Sequence, residues 1–345
     1  MTAALDEGEP MASFPPFERI SQKLNRLGIS TLALGCLLGC TAPSKEGEAA
    51  STATPVVTPA AKSVGPASSA TTVTATSAPS APPQELPPVT AVYPWGPASK
   101  ERLDGRFPTP EGFKRVAVEK GSFAEFLRTL PLLPDGAPVV DYRGNKLHND
   151  GHHPNIAAVA DLDVGTKDLQ HCADAIIRLH AEYKYGVGER DLKYKAVSGV
   201  SMGYKGYVAG DRAVPVGSNI EMKRVAGAKK DDHALLRAWL DDVFAYAGTQ
   251  SVERDGAKVD KADMRAGDFF VLSGSPFGHA VLILDVAKDE KGRVALLLGQ
   301  SYMPAQSFQI LRPNESSAWF IVEPNAYAVA TPFWKPFPLS SLRRL

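Results

Sequence analysis

The sequence predicts an α+β fold. Two observations lead there. Helical periodicity comes early in the globular region, and a run of strands follows it. The last two of those strands are joined by a short polar turn, so they pair antiparallel. A doubly wound parallel sheet would instead alternate strand and helix throughout.

Taken in order, 122–130 (SFAEFLRTL) reads as a short amphipathic helix, and 138–142 (PVVDY) and 156–162 (IAAVADL) read as strands. Segment 167–185 (KDLQHCADAIIRLHAEYKY) is the clearest helix. Leu169, Cys172, Ala173, Ile176, Leu179 and Tyr183 recur on one face at three- and four-residue steps, with Thr166 or Asp168 as its cap. A second helix spans 231–247 and stops at Gly248. Strands follow at 268–272, 279–286 and 294–299, with KDEKG at 288–292 as the hairpin turn between the last two.

The chain has 345 residues and balances 38 Lys+Arg against 38 Asp+Glu. No basic surplus points to nucleic acid. Three cysteines are too few for a disulfide scaffold. Residues 1–39 read as a signal segment. Arg19, Lys23 and Arg26 precede an apolar stretch at 27–38, which is shorter than the roughly 20 residues a spanning helix needs. The acidic lead-in before them makes Met11 an alternative start to Met1. Leu37-Leu38-Gly39-Cys40 resembles the lipobox of bacterial lipoproteins, which implies cleavage before Cys40 and a lipid on it. Residues 40–90, rich in Ala, Thr, Ser and Pro, bury too little apolar surface to offset chain entropy and read as a disordered tether. Residues 91–345 read as one globular domain. The expected place is therefore the cell envelope, anchored to a bacterial membrane through Cys40.

Once the signal is removed, Cys172 has no partner but Cys40. An unpaired thiol in an exported protein is explained either by burial on the apolar face of its helix or by nucleophilic catalysis near a helix start. The later sequence bears on the choice. A Gly267-Asp268 turn leads into a strand, Gly278-His279 opens the next, and Gln300 closes the one after. A thiol, a base to take its proton and a polar residue to orient the base form a working set. This order resembles the papain-like NlpC/P60 and CHAP thiol hydrolases, which cut cell-wall peptides. The resemblance implies a Cys-bearing helix packed on an antiparallel sheet, with Cys172 as nucleophile, His279 as base and Gln300 as orienter, and a thiolate stabilised by the imidazolium. It is set against a different context, His171-Cys172-Ala173-Asp174, and a large insertion at 186–230.

A fuller resemblance, over about 93–345, is to the bacterial domain-of-unknown-function 4846 family. It rests on 168–179 (DLQHCADAIIRL), 278–281 (GHAV), 300–306 (QSYMPAQ) and 331–334 (TPFW). That family implies one globular unit and no substrate.

Gln170 and His171 could supply oxyanion or substrate contacts, or form the polar edge of the helix. Tyr302, Met303 and Gln306 could line a pocket, or simply pack a loop. His148, His152 and His153 lie in a polar loop without a matching ligand pattern, so no metal and no cofactor is expected. Asp161 and Asp163 read as turn residues closing a strand, and Arg178 and Glu182 as a surface pair on the helix. The function expected is amide cleavage or transfer, with cell-wall peptides as the natural substrate class. The alternative is a non-catalytic envelope lipoprotein that binds a glycan, peptide or protein.

Overall fold

A computed structural model describes residues 90–274 and 277–345. The signal segment with Cys40, and the tether as far as residue 89, lie outside the described residues. Among those described, no helix is long and apolar enough to cross a membrane.

In chain order the elements begin with α1 (Leu103–Arg106), β1 (Lys114–Arg115), α2 (Phe123–Arg128), β2 (Ile156–Val159) and α3 (Cys172–Gly186). The insertion contributes β3 (Lys193–Lys195), β4 (Ser201–Gly203), α4 (Tyr204–Val208), β5 (Asp211–Val216) and β6 (Asn219–Arg224). Then come α5 (His233–Tyr246), α6 (Thr249–Asp255), β7 (Ala257–Lys258), β8 (Phe269–Leu272), β9 (His279–Lys288) and β10 (Val294–Gln300). The chain closes with β11 (Gln309–Leu311), β12 (Trp319–Val322), β13 (Ala328–Val329), β14 (Phe337–Pro338) and β15 (Leu342–Arg344). The architecture is α+β, with a large antiparallel sheet and few helices. The sheet runs β2-β11-β10-β9-β8-β15-β7, with β1 added to β9 and β12 to β10.

The centre of this sheet is covered on both faces, and strand alternation shows how. Ala280, Leu282 and Leu284 of β9 and Ala295 and Leu297 of β10 face the core built with α2, α3 and α5. Val281 and Ile283, with Val294, Leu296 and Leu298, face a second core closed by Val329, Phe337 and Leu342. A register shift between Leu297 and Leu298 turns buried Asp285 toward the helical side. There it takes Arg115 Nε at 2.7 Å and Arg128 Nε at 2.8 Å, so two cations compensate one buried carboxylate.

Several expectations need correction. The Cys-bearing helix does not begin at 167. Tight turns, with the amides of Leu169 and His171 donating to the carbonyls of Lys167 and Leu169, hold the approach non-helical. His171, in extended conformation, is the N-cap, in place of Thr166 or Asp168, and its N–H donates to Asp174 Oδ2 at 3.1 Å. Segment 138–142 is not a strand. It makes only isolated bridges, because the Asp141 carboxylate gathers the amides of Arg143 and Asn145 into a turn. The helix expected at 231–247 starts at His233, with Asp232 accepting from the Leu235 amide at 3.0 Å. After Gly248 the chain re-enters a helix at once, α6. The insertion folds as two hairpins, β3–β4 and β5–β6, around the short α4.

Arg178 and Glu182 are not a surface pair: both are 0 % exposed. The Arg178 guanidinium donates to the Asp163 carbonyl and carboxylate and to Gln170 Oε1 (2.8 Å), with Glu182 Oε1 at 3.3 Å. His233 Nε2 closes on Glu182 at 2.9 Å. The periodicity that put Arg178 four residues before Glu182 was correct. Burial followed from the loop at 163–170 folding over that face.

Candidate active site

Cys172 is the first residue of α3, half-buried, where the helix presents unpaired amides. The N–H groups of Ala280, Ala173 and Cys172 itself favour the thiolate. Burial nevertheless dominates, reinforced by the Asp174 carboxylate, and pushes the thiol up to about 12. His279 is the first residue of β9 and is 1 % exposed. Burial pushes its ring down to about 4, against the opposing hydrogen bond to Gln300. The resting site therefore holds a neutral thiol and a neutral imidazole, not the thiolate–imidazolium pair expected from the sequence. Desolvation of both charged forms is the physical reason.

Gln300, the last residue of β10, is 1 % exposed, and its Oε1 lies 2.7 Å from His279 Nε2. The two residues share the sheet face of Val281 and Leu298. Glycine precedes each of them for a steric reason. A Cβ on Gly278 would sit 2.5 Å from the Leu272 carbonyl oxygen and from Thr249 Oγ1, and one on Gly299 would sit 2.6 Å from the Phe308 ring.

The loop 301–306 joins the segment leading into Cys172 to this pair. Ala305 N–H and His171 Nε2 both meet Asp168 Oδ1, at 2.8 and 2.9 Å. The Ser301 hydroxyl lies between the carbonyls of Gln170 and Gln306. Tyr302 packs its ring 5.0 Å from that of His279, and its phenol lies within the electrostatic reach of the Cys172 thiol.

The other sequence candidates divide. His171 holds Asp168. Gln170 is buried, with Oε1 on Arg178 and Nε2 donating to the Asp163 carbonyl at 3.3 Å, so its amide braces the approach to Cys172. Met303 is exposed and Gln306 buried. The rings of His148 and His153 pack on each other and on Phe333. Among the described residues no group of three or more His, Cys, Asp or Glu is placed to hold a metal ion. Asp161 serves the N-terminal approach: its carboxylate takes the Ser99 amide and its carbonyl takes the Trp95 indole.

Sequence reasoning missed three neighbours of His279 and Gln300. Trp334 and Phe337 place their rings 5.2 and 6.1 Å from that of His279. Gln309 lies directly across the β10–β11 ladder from Gln300. A polar residue opening a buried three-residue strand was the available signal for Gln309.

The model of the family described as domain of unknown function 4846 matches residues 103–344. The chain belongs to this family. The match takes in α3, β9, β10 and the loop after β10, so every residue of the constellation falls within the family's domain. No curated protein and no solved structure matches the chain.

Proposed function

We propose that this member of the family is an exported, lipid-anchored thiol hydrolase with a papain-like core, acting on amide bonds of cell-wall peptides. The observation that carries the reading is the His279–Gln300 contact of 2.7 Å, buried beside a helix that opens with Cys172. With Nε2 held by a carbonyl oxygen, Nδ1 is the basic nitrogen. It accepts the thiol proton as sulfur attacks the amide carbon, and the oxyanion collects the Cys172 N–H at the helix start. The imidazolium then protonates the departing amine as the C–N bond breaks, leaving a thioester. Water adds to it, giving its proton to Nδ1, and the thiol regains that proton as the acid leaves. Because the resting pair is neutral, proton removal accompanies attack instead of preceding it. The rings of Trp334 and Phe337 pack on the imidazole and add to its desolvation. Envelope location rests on the Leu37-Leu38-Gly39-Cys40 order.

The test is incubation with isolated cell-wall peptides, scored by mass spectrometry for new amine and carboxylate ends. Cleavage by the wild type and none by Cys172→Ala is expected.

One observation favours a second reading, a non-catalytic envelope lipoprotein that binds a glycan, peptide or protein: the thiol is held protonated near 12. Peptide binding without cleavage, unchanged in Cys172→Ala, would establish that reading instead.

A further inference from the structure

We propose that a relay of three buried glutamines, Gln306–Gln309–Gln300, sets which nitrogen of His279 carries the proton, which makes Gln306 and Gln309 positioning residues. The proposal rests on the hydrolase reading only for its kinetic consequence, because the tautomer is a property of the resting protein.

The polarity of the relay is fixed at its far end. Gln306 meets the Pro304 carbonyl oxygen at 3.0 Å. A carbonyl only accepts, so the amide must present Nε2 there and turn Oε1 the other way. Gln309 Nε2 donates to that Oε1 at 2.6 Å. Gln309 Oε1 is thereby left to accept from Gln300 Nε2 at 3.5 Å, the longest link. Gln300 then meets the imidazole with Oε1, at 2.7 Å. An oxygen facing a ring nitrogen requires N–H on that nitrogen, so Nε2 is protonated and Nδ1 keeps its lone pair. Each amide could flip on its own, at the cost of placing two donors or two acceptors face to face. In sequence, the flips are coupled to one backbone carbonyl.

The scaffold supports the same reading. Gln300 and Gln309 are register partners across the antiparallel β10–β11 pair. All three glutamines are 1–3 % exposed, so water does not compete for their amides. The Ser301 hydroxyl, 2.7 Å from the Gln306 carbonyl, ties the start of the relay to the loop that follows Gln300. A shell that fixes the ring tautomer from behind is a recurrent requirement of histidine chemistry.

The test uses the full chain labelled with ¹⁵N-histidine. NMR at pH 7 reads the His279 tautomer, and steady-state kinetics on a cleaved peptide reads kcat and KM. Wild type should be entirely Nε2–H. Gln309→Met, similar in size but unable to transmit polarity, should show a mixture with Nδ1–H, with kcat down about tenfold or more and KM unchanged. Gln309→Glu, buried as the neutral acid, donates to Gln306 and accepts from Gln300 as glutamine does. It should keep the Nε2–H form and stay within about twofold of wild-type kcat, although it perturbs packing as much.

A Gln309→Met protein whose His279 remains wholly Nε2–H overturns the relay, whatever its activity. Should that variant not fold, Gln306→Met is read in the same way: a mixture with Nδ1–H supports the relay, and a wholly Nε2–H His279 overturns it, as does an Nδ1–H His279 in the wild type. If no peptide is cleaved by any variant, the hydrolase reading fails, while the tautomer spectra still support or overturn the relay.

Discussion

At the scale of single residues, the site is a balance between desolvation and orientation. His279 illustrates it. Its ring is held near 4 by burial, against an ordinary value of 6.5. Below about 6.5 the unfolded chain takes up a proton that the folded ring refuses until about 4. The stabilising contribution is therefore complete above about 6.5 and is lost as pH falls to about 4. Over that window it amounts to at most about 3 kcal/mol. His279→Asn should flatten the fall of the unfolding midpoint between pH 6.5 and 4. Parallel curves for variant and wild type would show that burial does not depress this ring. The glycines belong to the same scale. Gly278→Ala should cost activity without touching a reacting group, because its methyl would drive the first residue of β9 away from Leu272 and Thr249.

At the scale of elements, α3 is positioned as much by ions as by its apolar face. Arg178 binds Asp163 and Gln170, so the loop that ends at the His171 cap is anchored to the middle of the helix it starts. Removing one partner of a buried charge network costs about 3–5 kcal/mol. Arg178→Ala should lose roughly that in denaturant unfolding, and a loss under about 1 kcal/mol would contradict a buried role. The elements were also the most legible part of the sequence. The apolar faces of α3 and α5 and the apolar runs of β8, β9 and β10 announced themselves by period. Cys172, His279 and Gln300 could be picked out by their order at element ends. Non-local facts were not legible. Arg178 looked like a solvated i,i+4 partner because nothing in the pattern shows that 163–170 folds over it. PVVDY looked like a strand because the turn imposed by Asp141 depends on where its carboxylate points. The thiol looked activated because a helix start favours an anion, whereas how deeply the sulfur is enclosed depends on loops far off in sequence. Gln309 passed unnoticed because its meaning lies in the residue opposite it.

At the scale of the whole molecule, the described residues form a two-faced sheet: α3, which opens with Cys172, packs on its helical side, and His279 and Gln300 lie at the ends of β9 and β10. The proposed tether and anchor place this body at a membrane. Labelling with a fatty-acid analogue in a bacterial host should mark the wild type and spare Cys40→Ala, and equal labelling of both would remove the lipoprotein proposal. Deleting residues 41–89 should leave the unfolding free energy of the body within about 0.5 kcal/mol, whereas a loss above about 1 kcal/mol would mean that the segment packs on it. The central claim, that His279 serves as base to Cys172, is tested most directly by iodoacetamide alkylation at pH 7, with the rate at Cys172 read by site-resolved mass spectrometry in wild type and in His279→Ala. A general base of this kind should make the variant at least about tenfold slower. Equal rates in the two proteins, both rising only as pH climbs toward the high value of this thiol, would contradict the claim.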